Sequence, residues 1–185
     1  MKLFRVVRGT DPLLKPGTKI TPTGGYKQYL DSIPEKDSRQ SNVIIERALD
    51  KTWGSQGIRT SGLFAFKELK DALIFSGKIY LGNAVIYEIS VSAYDITFVG
   101  DMNMLDTLTR AVEIGLNNDH PDIFNTFCNF YWKRHTTFSP CWEYILKAAI
   151  IERIICSADD CVHFQEEFRI YESVERCPIY KQKLY

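Results

Sequence analysis

The chain has 185 residues, 45% hydrophobic and 25% charged, and its 23 basic and 23 acidic side chains give a formal net charge of zero. That length suits one domain, residues 1–185, with a substantial core, and excludes two full domains or a disordered chain. Balanced charge excludes a whole-molecule field that draws a protein to nucleic acid or an anionic membrane, and leaves room only for local basic patches.

No run reaches the roughly 20 apolar residues that span a bilayer, and the opening MKLFRVVRGTD lacks the apolar core and cleavage site of a secretory signal. The five cysteines are an odd number scattered through the second half. A reduced, cytoplasmic setting without membrane contact is expected.

In chain order, KLFRVVR at 2–8 alternates Leu3, Arg5 and Val7 against Phe4, Val6 and Arg8, which predicts a strand. Residues 9–36 are rich in Gly, Pro, Thr and Lys and read as a long irregular connection holding at most one short strand. Ser41 can cap a helix over 41–50, with Val43, Ile44, Ala48 and Leu49 on one face. Residues 58–66 (IRTSGLFAF) read as a strand interrupted at Gly62, and 67–75 as a short helix ended by Ser76 and Gly77. Two clear strands follow at 84–92 and 95–100, separated by a tight turn.

Met104, Leu105, Leu108, Ala111 and Val112 fall at helical spacing, and a second, aromatic-rich helix runs from Pro121 to Arg134. Its stripe, including Phe124, Phe127 and Trp132, reads as core packing. Residues 142–155 admit one helix, because Ala148 and Ala149 favour it, or two short strands, favoured by Ile145, Ile150, Ile151, Ile154 and Ile155. We take the strands. Extended patterns return at 163–171 and 179–185.

The sequence has no Walker loop, GxGxxG after a strand, GxSxG elbow, HExxH or paired CxxC. Cys156, Cys161, His163 and Cys177 are the nearest thing to a zinc set, but their spacing is poor and they read as packing. His120, before a proline, and His135, after Lys133 and Arg134, read as capping or surface residues.

Three segments carry a resemblance. They are Leu3, Phe4 and Arg5 with a polar turn over 8–12; GLFAFKELKDAL at 62–73 followed by the strand VIYEIS; and Cys141, Trp142, Glu143 and Tyr144. Taken in this order they resemble the ADP-ribosyltransferase fold, in its arginine, serine and glutamate class, which includes the cholera, heat-labile and pertussis toxin catalytic subunits. The resemblance implies an α+β fold of split β-sheets around a cleft with flanking helices, and NAD as substrate. Arg5 would brace the cleft and contact the dinucleotide, and Glu143 would be the catalytic glutamate. Two departures stand out: Ala65, Phe66 and Lys67 replace the family's Ser-Thr-Ser, with Thr60 and Ser61 upstream as substitutes, and Cys141 replaces the first acidic position.

The implied chemistry breaks the bond between nicotinamide and ribose through an oxocarbenium-like state that a carboxylate stabilises. Arg5, Arg8 or the Gly9 loop would cradle the pyrophosphate through charge-assisted bonds, and Tyr26 or Phe66 would stack on nicotinamide. The expected function is transfer of ADP-ribose to a macromolecular acceptor, a protein, or to water, as in a toxin, an effector or a housekeeping modifier. Contacts with that acceptor are expected from 9–36 and from the helix near Phe127. Two other readings stay open: a catalytically degenerate nucleotide- or partner-binding module of the same fold, and an unrelated α+β interaction protein.

Overall fold

A computed structural model of the protein describes residues 1–53, 57–80 and 83–156. Strand β1 (Lys2–Arg8) forms as its alternation predicts, and both of its faces are covered, with Leu3 and Val6 buried on opposite sides. The next segment departs from expectation. Besides β2 (Lys19–Ile20), residues 9–36 contain a seven-residue helix, α1 (Gly25–Asp31). Gly24 opens it at φ +73°, a conformation that suits glycine, and Leu30 and Ile33 pin it onto Val43 of α2 (Gln40–Trp53). Tertiary burial thus supplies what local propensity does not.

The strand expected over 58–66 is confined to β3 (Leu63–Phe66). Gly62 explains the boundary: a Cβ there would lie 2.2 Å from Cγ2 of Ile145 and 2.8 Å from the Ile58 carbonyl. Helix α3 (Leu69–Tyr80) runs through Ser76 and Gly77 rather than stopping there, since Ser76 is fully buried and Tyr80 packs edge-on against Phe75. β4 (Ala84–Ser90), a 3-10 turn (Ala93–Asp95) and β5 (Ile96–Asp101) follow as expected. The helical quarter comprises α4 (Asn103–Glu113), the short α5 (Leu116–Asp119) and α6 (Pro121–Trp132). Two strands close the described chain, β6 (Trp142–Leu146) and β7 (Ala149–Cys156), so 142–155 is not one helix. The extended patterns at 163–171 and 179–185 lie outside the described residues.

All strand pairs are antiparallel, in one seven-stranded sheet of order β2-β7-β4-β1-β3-β6-β5. The chain is therefore α+β. Instead of two separate sheets the described strands form one, but β1 and β3 share a single register pair, Phe4 with Phe66. The link between β6 and β7 shows how sharply the sheet bends. In a flat sheet these strands would sit four places apart, about 19 Å, and run in the same direction. Yet only Lys147 and Ala148 separate them, which lets Leu146 and Ala149 be at most about 11 Å apart. One half of the sheet must fold over the other at the narrow β1–β3 joint.

Each face then acquires its own core. Between the folded halves, Leu3, Tyr87, Ile89 and Ile151 pack with Leu63 and Leu146. On the outer face, α2, α4 and α6 cover β5 and β6 through Leu49, Leu108, Phe124, Trp132, Phe98 and Ile145. Helix α3 covers Val6, Phe66 and Ile86 on that side.

Candidate functional site

Two places in this frame concentrate polar chemistry. The first lies under the helices, where Glu143 of β6, Glu46 of α2 and Arg59 of the turn before β3 are all buried. Nη1 of Arg59 is 2.5 Å from Oε1 of Glu143, and Nε is 3.0 Å from each Glu46 oxygen. The Tyr131 hydroxyl donates to the same Oε1 at 2.7 Å and also accepts from Arg59. Tyr26 of α1 donates to Glu46 at 2.9 Å. The guanidinium lies over the rings of Phe64 and Tyr131.

Electrostatics follow from this packing. Burial disfavours the Arg59 cation, but the carboxylates of Glu143 and Glu46 outweigh it and hold its pKa well above the ordinary arginine value. Burial also pushes the Tyr131 and Tyr26 phenols up, so both are donors at any physiological pH. Oε1 of Glu143 thus has a cation and a hydroxyl on it, and the residue is 2% exposed. Gly100, the cross-strand neighbour of Glu143, makes room for this: a Cβ on it would lie 3.0 Å from the Tyr131 ring.

The second place is the β1–β3 joint. Past Phe4 and Phe66 the two strands diverge, and the Arg5 guanidinium enters the opening to donate to the Phe64 carbonyl at 2.9 Å. Among the described residues Arg5 has no carboxylate in an ion pair. Burial lowers its pKa, and Tyr80 at the end of α3 is the group that opposes this. Tyr80 is in turn raised by burial and drawn back by the charges of Arg5 and Arg8, with Asp11 opposing them.

The register separates the two places. Phe4, Phe66 and Glu143 form one row across β1, β3 and β6, so by alternation Arg5 leaves β1 on the other face from Glu143. The structure thus brings the strands bearing Arg5 and Glu143 within two places of each other without joining the side chains. Of the other expected site residues, Arg8 is exposed at the end of β1, and Tyr26 belongs to the Glu46 network. Phe66 is 2% exposed and packs on Phe75 at 5.0 Å, which leaves no ring face for a stacking ligand. Ser61 donates to the Gly57 carbonyl and lines an open groove of about 440 Å³ with Pro22, Thr97 and Lys147, which neither Arg5 nor Glu143 lines. Cys141 is buried, with its N–H on Asp101.

Sequence reasoning missed Arg59, Glu46 and Tyr131. One signal for them existed: Val43, Glu46 and Leu49 fall three apart on α2, so Glu46 occupies the buried stripe and demands a buried partner. Among the described residues no cluster has the makings of a metal site; of the candidate zinc set, Cys161, His163 and Cys177 lie outside them. No described helix is long and apolar enough to cross a membrane. No protein-family model matches the chain, and no curated protein matches its sequence.

Proposed function

We propose that the protein is a binding module of ADP-ribosyltransferase-like design that takes the phosphates of a nucleotide, such as NAD or ADP-ribose, at the β1–β3 joint. The observation that carries this reading is Arg5. A guanidinium held in a desolvated opening with no carboxylate on it among the described residues is electrostatically incomplete, and an anion beside it offsets the desolvation. The charges of Arg5 and Arg8 both act on Tyr80 at the end of α3, which places further cationic charge in the neighbourhood of the joint. The ADP-ribosyltransferase-like design is supported by the three resembling segments lying on neighbouring strands, β1, β3 and β6, of a sheet folded at that joint. Binding without turnover is favoured because Glu143 is sealed and ion-paired.

A second reading, an NAD-cleaving transferase acting on a protein acceptor, keeps one observation in its favour: Glu143 is two strands from β1, with Tyr131 to orient its carboxylate. It requires Glu143 to leave its buried contacts with Arg59 and Tyr131. One pair of measurements separates the two. Millimolar NAD and ADP-ribose are expected to raise the melting temperature while nicotinamide does not, and Arg5→Gln should abolish the rise. Labelled NAD incubated with the protein is expected to release no nicotinamide. Release that Glu143→Gln abolishes would establish the transferase instead, and the absence of any nucleotide shift would refute nucleotide binding.

A further inference from the structure

The turn between α6 and β6, residues 133–141, holds an aromatic ring in open water on an immobilised backbone. Phe138 is 107% exposed, so no described residue covers it. Its neighbours are fixed on both sides. Thr137 donates both its N–H and its hydroxyl to Oδ2 of Asp101 at 2.7 Å, and the Ser139 carbonyl accepts from Nδ2 of Asn103 at 2.7 Å. Further along, the Cys141 N–H reaches Oδ1 of Asp101 at 2.8 Å, and Asp101 itself is fully buried. The start of the turn is held as well, with the His135 N–H donating to the Phe130 carbonyl and the His135 ring tilted against the Phe130 ring at 4.7 Å.

Three basic side chains open the same turn. Lys133, Arg134 and His135 are exposed, and among the described residues none of them pairs with a carboxylate. Arg134 adopts φ +60°, unusual for a side-chain-bearing residue, and its guanidinium sits 5.8 Å above the Phe98 ring. In a chain of zero net charge this is a local basic run, three to five residues before a bare aromatic ring in the same turn.

The geometry points to a contact site for single-stranded nucleic acid, with Phe138 stacking on a base and Lys133, Arg134 and His135 facing the phosphates. Among the described residues no groove surrounds this ring to seat a peptide, whereas any base offers it a π-face. Lys133 lies five residues from Phe138, hence within about 19 Å of it, a span that a few nucleotides of single strand cover. Because the backbone is already latched to Asp101 and Asn103, little ordering is left to offset on binding. This site is independent of the nucleotide-phosphate site at Arg5.

Fluorescence anisotropy with a labelled oligo-dT of about 15 nucleotides tests it. The wild type is expected to bind, with affinity falling as salt rises, and Phe138→Ala to weaken binding about fivefold or more. Lys133→Glu should weaken it as well and lower the slope of log affinity against log salt by about one or more. Both residues are exposed, so melting temperatures should match the wild type and exclude misfolding. No binding in low salt, equal binding by Phe138→Ala, or tighter capture of an acidic peptide than of the oligonucleotide overturns the assignment.

Discussion

Arg59 and Glu143 meet at 2.5 Å under the helices, across 84 residues of chain, and tie the turn before β3 to β6. Removing the cation leaves Glu143 and Glu46 buried without a counter-charge. Arg59→Met is therefore expected to destabilise the fold by about 3–5 kcal/mol, measured by chemical denaturation. Glu143→Gln should destabilise less, because Glu46 remains on Arg59. A midpoint for Arg59→Met within error of the wild type would mean that the network does not form.

Much of the architecture was legible in the sequence where one period dominated. Alternation marked β1, extended runs separated by a tight turn marked β4 and β5, and helical spacing marked α4 and α6. Helix α1 was not legible: its Gly24, Gly25 and Tyr-rich run has little propensity, and it stands on the Leu30, Ile33 and Val43 contact. Strand order was hidden too, since the placement of β7 four positions from β6 depends on the fold at the joint rather than on any local pattern. For the site, Arg5 stood out as a charge within an apolar strand, and Glu143 was singled out by the resemblance of residues 141–144 to a family segment. Their partners could not be picked out, because Arg59 lies in a turn that reads as strand until the Gly62 contact is known.

That contact gives a sharp test. A methyl at position 62 would collide with Ile145, which is fully buried, and with the Ile58 backbone carbonyl, which cannot rotate away. Gly62→Ala is expected to cost about 1–3 kcal/mol, while Gly17→Ala, with nothing within 4 Å, should show only the strain of its positive φ. Thermal denaturation of the two variants distinguishes packing from backbone strain.

Asp71 on α3 supplies a pH dependence. Burial raises its carboxyl above the ordinary value, Lys70 opposes this, and Glu68 and Asp101 reinforce it. Between the ordinary and the raised value, the folded protein keeps a proton that the unfolded chain has released. Stability from this group therefore falls as pH rises through that window and stays low above it. Relative to the wild type, Asp71→Asn should gain stability as pH is brought up from the acid side to neutrality, and the gain should vanish below the ordinary carboxylate range. Denaturation midpoints of the two proteins across pH check the sign; a difference that does not change with pH counts against it.

Asp101 latches the 133–141 turn at two points, Thr137 and Cys141. Its carboxylate takes four donors, from Asn103 N–H, Thr137 N–H, Thr137 hydroxyl and Cys141 N–H. Asp101→Ala leaves those donors to find water or go unpaired, at about 1–3 kcal/mol for each that stays buried. Asp101→Asn keeps an acceptor oxygen for part of the set and should lose less. Hydrogen exchange at Thr137 and Cys141 is expected to accelerate in the alanine variant, more than at Ile145 in the core of β6. If those amides stay protected after Asp101→Ala, the turn is held by other contacts, such as Asn103 with Ser139, and the exposed Phe138 does not owe its fixed position to the Asp101 latch.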